Sequence, residues 1–140
     1  MAYTTFKARK TPNYNTGTQS FVAANSADFG SGTPVSIGAT GAVPSTAGTT
    51  IVGVSVTAKT FASDNFTVAK EVVNYIPAEA NQHYQIAITG GTITLADQGK
   101  YYDLTAAAIV DGATESATTG QVRLEKFISS TLGVFSIANL

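Results

Sequence analysis

No stretch of this chain keeps a helical apolar period for as much as three turns. Apolar residues instead recur at every second position in short runs, and glycines, prolines and Asp/Asn/Ser clusters interrupt those runs. A period of two places alternate side chains on opposite faces of a sheet, so each run can cover one side of a core and then must turn. Residues 21–50 alone hold Gly30, Gly32, Gly38, Gly41, Gly48, Pro34 and Pro44, which forbids long helices there.

The runs follow in order. Ser-Gly-Thr-Pro-Val-Ser-Ile (31–37) is a turn entering a strand. TIVGVSVT (50–57) sets Val52, Val54 and Val56 against Ile51, Gly53, Ser55 and Thr57, with Gly53 marking a close backbone approach or a bulge. FTVAKEVVNYI (66–76) alternates Phe66, Val68, Lys70 and Val72 against Thr67, Ala69, Glu71, Val73 and Tyr75, and Pro77 ends it. Residues 78–81 form a helical turn or a loop. HYQIAIT (83–89) turns Tyr84, Ile86 and Ile88 inward, and Gly90-Gly91 predicts a hairpin returning through TITL (92–95) with Ile93 and Leu95 inward. Asp97-Gln98-Gly99 is a turn before a strand through Tyr101, Tyr102 and Leu104. TAAAIV (105–110) has room for a helical turn capped by Thr105 or Asp103, and residues 113–119 form a polar loop between Asp111-Gly112 and Thr119-Gly120. QVRLEKFIS (121–129), with Val122, Leu124 and Ile128 on one face, and GVFSIANL (133–140) close the chain. The expected architecture is all-β, a small antiparallel β-barrel or β-sandwich. Residues 1–20 are expected as an extended N-terminal arm and 21–140 as a single β domain.

Composition excludes several functions. Charged residues are 12% of the 140, the formal net charge is −1, and the only basic cluster is Lys7, Arg9 and Lys10. That is too little positive charge for a nucleic-acid binder at physiological salt. There is no cysteine and one histidine, His83, so the usual zinc ligand sets and a thiol nucleophile are ruled out. No apolar run spans a bilayer, and the N-terminus has no apolar signal-peptide core. Neither a membrane nor a nucleic acid is expected as partner, and synthesis in a cytoplasm is expected. His83 reads as a strand-end residue. The carboxylates stand at turns, in loops or on exposed faces, although a hydrolytic pair can converge from separate loops. The chain is expected not to be an enzyme and to need no metal or other cofactor.

GKYYDLTAAAIVDGATESATTGQVRLEKFISSTLGVFSI (99–137) resembles the end of the capsid decoration, or cement, proteins of tailed bacteriophages. The matching features are a Gly before a Tyr-Asp-Leu strand, a Val-Asp-Gly turn, a Ser/Thr-rich loop, then Gly-Gln and a closing hairpin. SGTPVSIGATGAV (31–43) and IVGVSVTA (51–58) are similar to the opening of such a domain. The resemblance implies a structural virion protein on the outer capsid surface, with the major capsid protein as partner and no catalytic residues. The alternative is a carbohydrate-binding or adhesin module on a phage fibre or tail, using Tyr101, Tyr102 and loop Asn and Asp residues. Lys7, Arg9, Lys10 and Tyr14 in the arm are the candidate capsid contacts, expected to order against an acidic surface. Val72 beside Val73 and Phe127 beside Ile128 point to opposite sides of their strands, so one of each pair must leave the core. Val73 and Phe127 are therefore the candidate oligomer-interface residues, with a homotrimer expected.

Overall fold

The structure is a computed structural model that describes residues 6–10, 18–79, 82–105 and 108–138. These residues are nearly all strand and turn, as the period of two predicts. They divide between two curved sheets, each wrapped around its own apolar cluster.

The C-terminal half is a closed barrel. Strands β9 (His83–Thr89), β11 (Val110–Ser116), β10 (Tyr101–Leu104), β12 (Val122–Ser129) and β13 (Leu132–Ile137) neighbour one another in that order, and β13 pairs back onto β9. The closing ladder runs from Leu132↔Ala87 to Ser136↔His83. All pairs are antiparallel except β9 with β11. Tyr84, Ile86, Ile88, Tyr102, Leu104, Val110, Val122, Leu124, Phe135 and Ile137 fill the interior. The Tyr102 and Phe135 rings meet edge to face at 6.1 Å, a favoured aromatic geometry.

The N-terminal half curls less completely. Its sheet runs β2 (Gln19–Val22), β8 (Val72–Pro77), β6 (Gly53–Ser55), β4 (Pro34–Gly38) and β5 (Gly41–Pro44), all antiparallel. Its two edges meet at one isolated parallel bridge, Ala23↔Ala42. A two-stranded piece, β3 (Asp28–Phe29) with β7 (Lys59–Thr60), lies beside it. The core here is alanine-rich: Ala23, Ala24, Ala27 and Ala42 with Phe29, Val35, Phe61, Val73 and Tyr75.

The halves meet along β6. Ile51 and Val54 belong to the barrel's core cluster, whereas Val52 packs against the other one. The expected face of Val52, Val54 and Val56 therefore does not form: regular pairing covers only 53–55, and Val56 is exposed. Gly53 is the close approach that its place in the run suggests. A Cβ there would collide with the Ile76 carbonyl and come within 2.5 Å of the Tyr75 ring.

Residues 6–10 of the expected arm belong to the barrel. Phe6 is buried against Tyr84, with ring centroids 5.3 Å apart, and its N–H donates to Gly32 O at 2.6 Å. β1 (Lys7–Lys10) pairs with the start of β9. At its other end, Gln19 and Ser20 begin β2, paired with Tyr75 and Asn74, so the β domain starts before residue 21. Residues 1–5 and 11–17, with Tyr14, lie outside the described residues.

Other local expectations are corrected. TITL does not return as a hairpin strand, because both edges of β9 are taken: β13 holds one, and β1 and then β11 hold the other. Ile93 still goes into the core, but residues 95–97 make a 3-10 turn that leaves Leu95 66% exposed. Residues 66–69 are a turn rather than the first half of a strand. The buried Asn65 amide donates to Ala23 O at 2.8 Å and Glu71 O at 2.9 Å, and its oxygen accepts from Glu71 N. Residues 113–116, expected in a loop, extend β11. Thr105 N donates forward to Ile109 O, opposite to a helical bond, and Ala108 is left-handed at φ 44°, so 105–110 is no helical turn across its described residues.

Candidate functional site

Of the proposed capsid contacts, Lys7, Arg9 and Lys10 stand together on β1, opposite β9; Tyr14 lies outside the described residues. The interface candidates fare differently. Val73 is 0% exposed and belongs to the N-terminal core, so it cannot serve as an interface residue; its neighbour Val72, 42% exposed, is the one that faces out. The sheet reverses the expected choice because Val73 shares its inner face with Tyr75 across from β2 and β6. Phe127 is half-buried against the barrel core, and Ile128, expected inside, is 39% exposed. The cause is a bulge between Leu124 and Lys126, which shifts the alternation by one residue so that Phe127 turns inward.

Lys59 pairs with Glu71 on the N-terminal half, and the charged groups of the barrel form two clusters. Lys100 Nζ donates to Asp97 Oδ1 at 3.0 Å and to Glu115 Oε2 at 2.8 Å, while Tyr102 Oη donates to Glu115 Oε1 at 3.3 Å. Bonds from the Lys100 ammonium and the Thr94 N–H hold the Asp97 carboxyl below its ordinary range. Burial, with the charges of Asp97 and Glu115, pushes the Tyr102 phenol up to about 12. The two carboxylates do converge, but a depressed Asp97 shared with an ammonium is the reverse of the raised acid that glycoside cleavage needs. In the second cluster, Arg123 donates to Glu125 Oε1 at 2.7 Å and Ser136 Oγ to Glu125 Oε2 at 2.6 Å. Burial pushes Glu125 up, but the Ser136 and Arg123 bonds outweigh it and hold the carboxyl below its ordinary value. His83 stands half-buried at the start of β9. Among the described residues no three His, Asp or Glu side chains gather as a metal site.

A feature that sequence reasoning missed lies at the seam between the halves. A recess of about 480 Å³ is lined by Gly48 from the N-terminal half and by Tyr101, Asp103, residues 118–121 and Ala138 from the barrel. Tyr101 and Asp103 are two apart on β10 and so share its outer face, with Tyr102 in the core. That i,i+2 pair was legible in the sequence; its partners come from distant turns and were not. The floor is rigid. Gln121, 1% exposed, donates to Thr46 O at 2.8 Å and Thr49 O at 2.6 Å and accepts from Leu104 N at 2.8 Å. Its own N–H donates to Asp103 Oδ1 at 3.1 Å.

A second surface is the outer side of the N-terminal sheet. Pro34, Val54 and Ile76 share that side near the barrel, where Pro34 and Val54 are buried and Ile76 is half-buried. Further along, Val72 faces out beside its partner Val22, and Val56, which bonds to Asn74 O, is 45% exposed.

Comparison with protein-family models, with curated proteins and with solved structures gave no match. The fold and its surfaces define an all-β protein of two joined curved sheets, one a closed five-stranded barrel.

Proposed function

We propose that this chain is a structural virion protein that binds the outer surface of a tailed-phage capsid and stabilises contacts between major capsid subunits, without catalysis. The observation that carries the reading is the half-covered outer face of the N-terminal sheet. One end is sealed by the barrel, and the other leaves Val56 and Val72 exposed, with half-buried Val22 beside Val72. Burying such a strip across a subunit seam adds stability to a shell by mass action, and many symmetry-related copies need only modest affinity each. Lys7, Arg9 and Lys10, which lie on β1, remain the candidate contacts for an acidic capsid surface. A homotrimer at shell three-folds fits the same strip, with Val72 taking the place first given to Val73.

The test is cosedimentation of purified protein with expanded shells lacking it, followed by particle imaging. Density over subunit seams and a higher shell melting temperature are expected. Replacing Val56 and Val72 by Glu leaves the isolated fold intact, because both are exposed, and removes binding. Undiminished binding by that double variant, or density at a fibre tip instead of the shell, overturns the reading.

A further inference from the structure

The geometry points to the seam recess as a binding site for one neutral sugar residue, and we propose a saccharide as its ligand. This inference is independent of the capsid reading. The volume, about 480 Å³, falls within the range of small-molecule sites, which favour boundaries between packed units. The lining narrows the ligand class. Asp103 is the single charged side chain in the wall, so an anion such as a phosphate ester is repelled. One carboxylate is too few for a calcium or magnesium ion to be held without other strong ligands. The apolar surface is limited to Tyr101 and Ala138, too little for a hydrophobic ligand.

What remains is hydroxyl chemistry beside one aromatic ring. A sugar presents adjacent hydroxyls, each both donor and acceptor, and a face of C–H groups that can lie on a tyrosine ring. Asp103 uses Oδ1 to accept from Gln121 N, and Oδ2 has no partner among the described residues, leaving it to accept from a hydroxyl. Thr118 and Thr119 supply hydroxyls that both donate and accept. Tyr101 is cross-strand partner to Arg123, which fixes one side of the ring's surroundings. Preorganisation comes from behind: Gln121, which donates to Asp103, is itself anchored by side-chain bonds to Thr46, Thr49 and Leu104.

The experiment is a titration of the isotope-labelled full chain with methyl glycosides of glucose, galactose, mannose and N-acetylglucosamine, read by amide chemical shifts. Saturable shifts at Gly48 and residues 118–121 are expected for at least one glycoside, with little change for its 6-phosphate. Asp103→Ala and Tyr101→Ala should each weaken that binding roughly tenfold or more. Asp103→Asn, which keeps an acceptor in the same volume, should retain part of it. An unchanged shift pattern outside the recess shows that each variant remains folded. Absence of saturable shifts with all four glycosides, or equal binding by Tyr101→Ala and Asp103→Ala, overturns the site. Neither result bears on shell binding, which is measured separately.

Discussion

The two halves solve the same problem by different means. The barrel closes through a five-pair ladder between β13 and β9 and fills its interior with Tyr, Phe, Ile, Leu and Val. The N-terminal sheet closes at a single bridge, packs around alanines with two phenylalanines, and holds its turns with buried polar side chains, Asn65 above all. Large apolar side chains tolerate simple turns, because area removed from water supplies the stability. A small-residue core supplies less, so side-chain bonds to backbone must define the loops. The barrel is accordingly expected to be the more resistant part and the N-terminal sheet the more easily opened.

The most severe way to break that difference is Phe135→Ala. The ring is fully buried against Tyr102, and its loss is expected to cost roughly 3–5 kcal/mol. Urea unfolding followed by tyrosine fluorescence should show the whole chain melting earlier, because Ile51 and Val54 tie the other half to this core. Next comes Gln121→Leu, which leaves Leu104 N, Thr46 O and Thr49 O without their partner, at roughly 2–4 kcal/mol. Its distinguishing sign is loss of cooperativity: amide exchange should separate into an early N-terminal phase and a late barrel phase. Asn65→Ala is expected to cost roughly 2 kcal/mol. Faster exchange should be confined to residues 23–25 and 65–73, with β9, β12 and β13 unchanged.

The smallest effect is with acid. Asp97 and Glu125, both on the barrel, have carboxyls below their ordinary values. A depressed folded value means that the stabilisation is complete above the ordinary carboxylate range, near pH 4, and fades as pH falls through the lower folded values. Their cationic partners, Lys100 and Arg123, are each more than a third exposed and so screened by solvent, which keeps the loss modest. Melting temperature followed from pH 6 downward should decline below about pH 4, and less steeply in Asp97→Asn. A variant with an unchanged acid slope would remove Asp97 from this account.

Local pattern carried much of the fold. The all-β class, β4, the inward set Tyr84–Ile86–Ile88, and the last two strands were all legible. Alternation and chain punctuation act over a few residues and need no knowledge of neighbours. The recess was legible only in its Tyr101–Asp103 pair.

Pairing decided the rest. Gly90-Gly91 is a good hairpin turn, yet no hairpin forms, because β1, β11 and β13 already occupy the edges of β9. The Leu124–Lys126 bulge exchanges the roles of Phe127 and Ile128. Val73 is surplus to a single core; a second core takes it in and leaves Val72 outside. Gln121 shows the distance involved, bonding across 75 positions of sequence to Thr46. A residue's own period determines that it alternates. Which face becomes interior depends on the strand that arrives on the other side, and that strand is chosen by long-range packing.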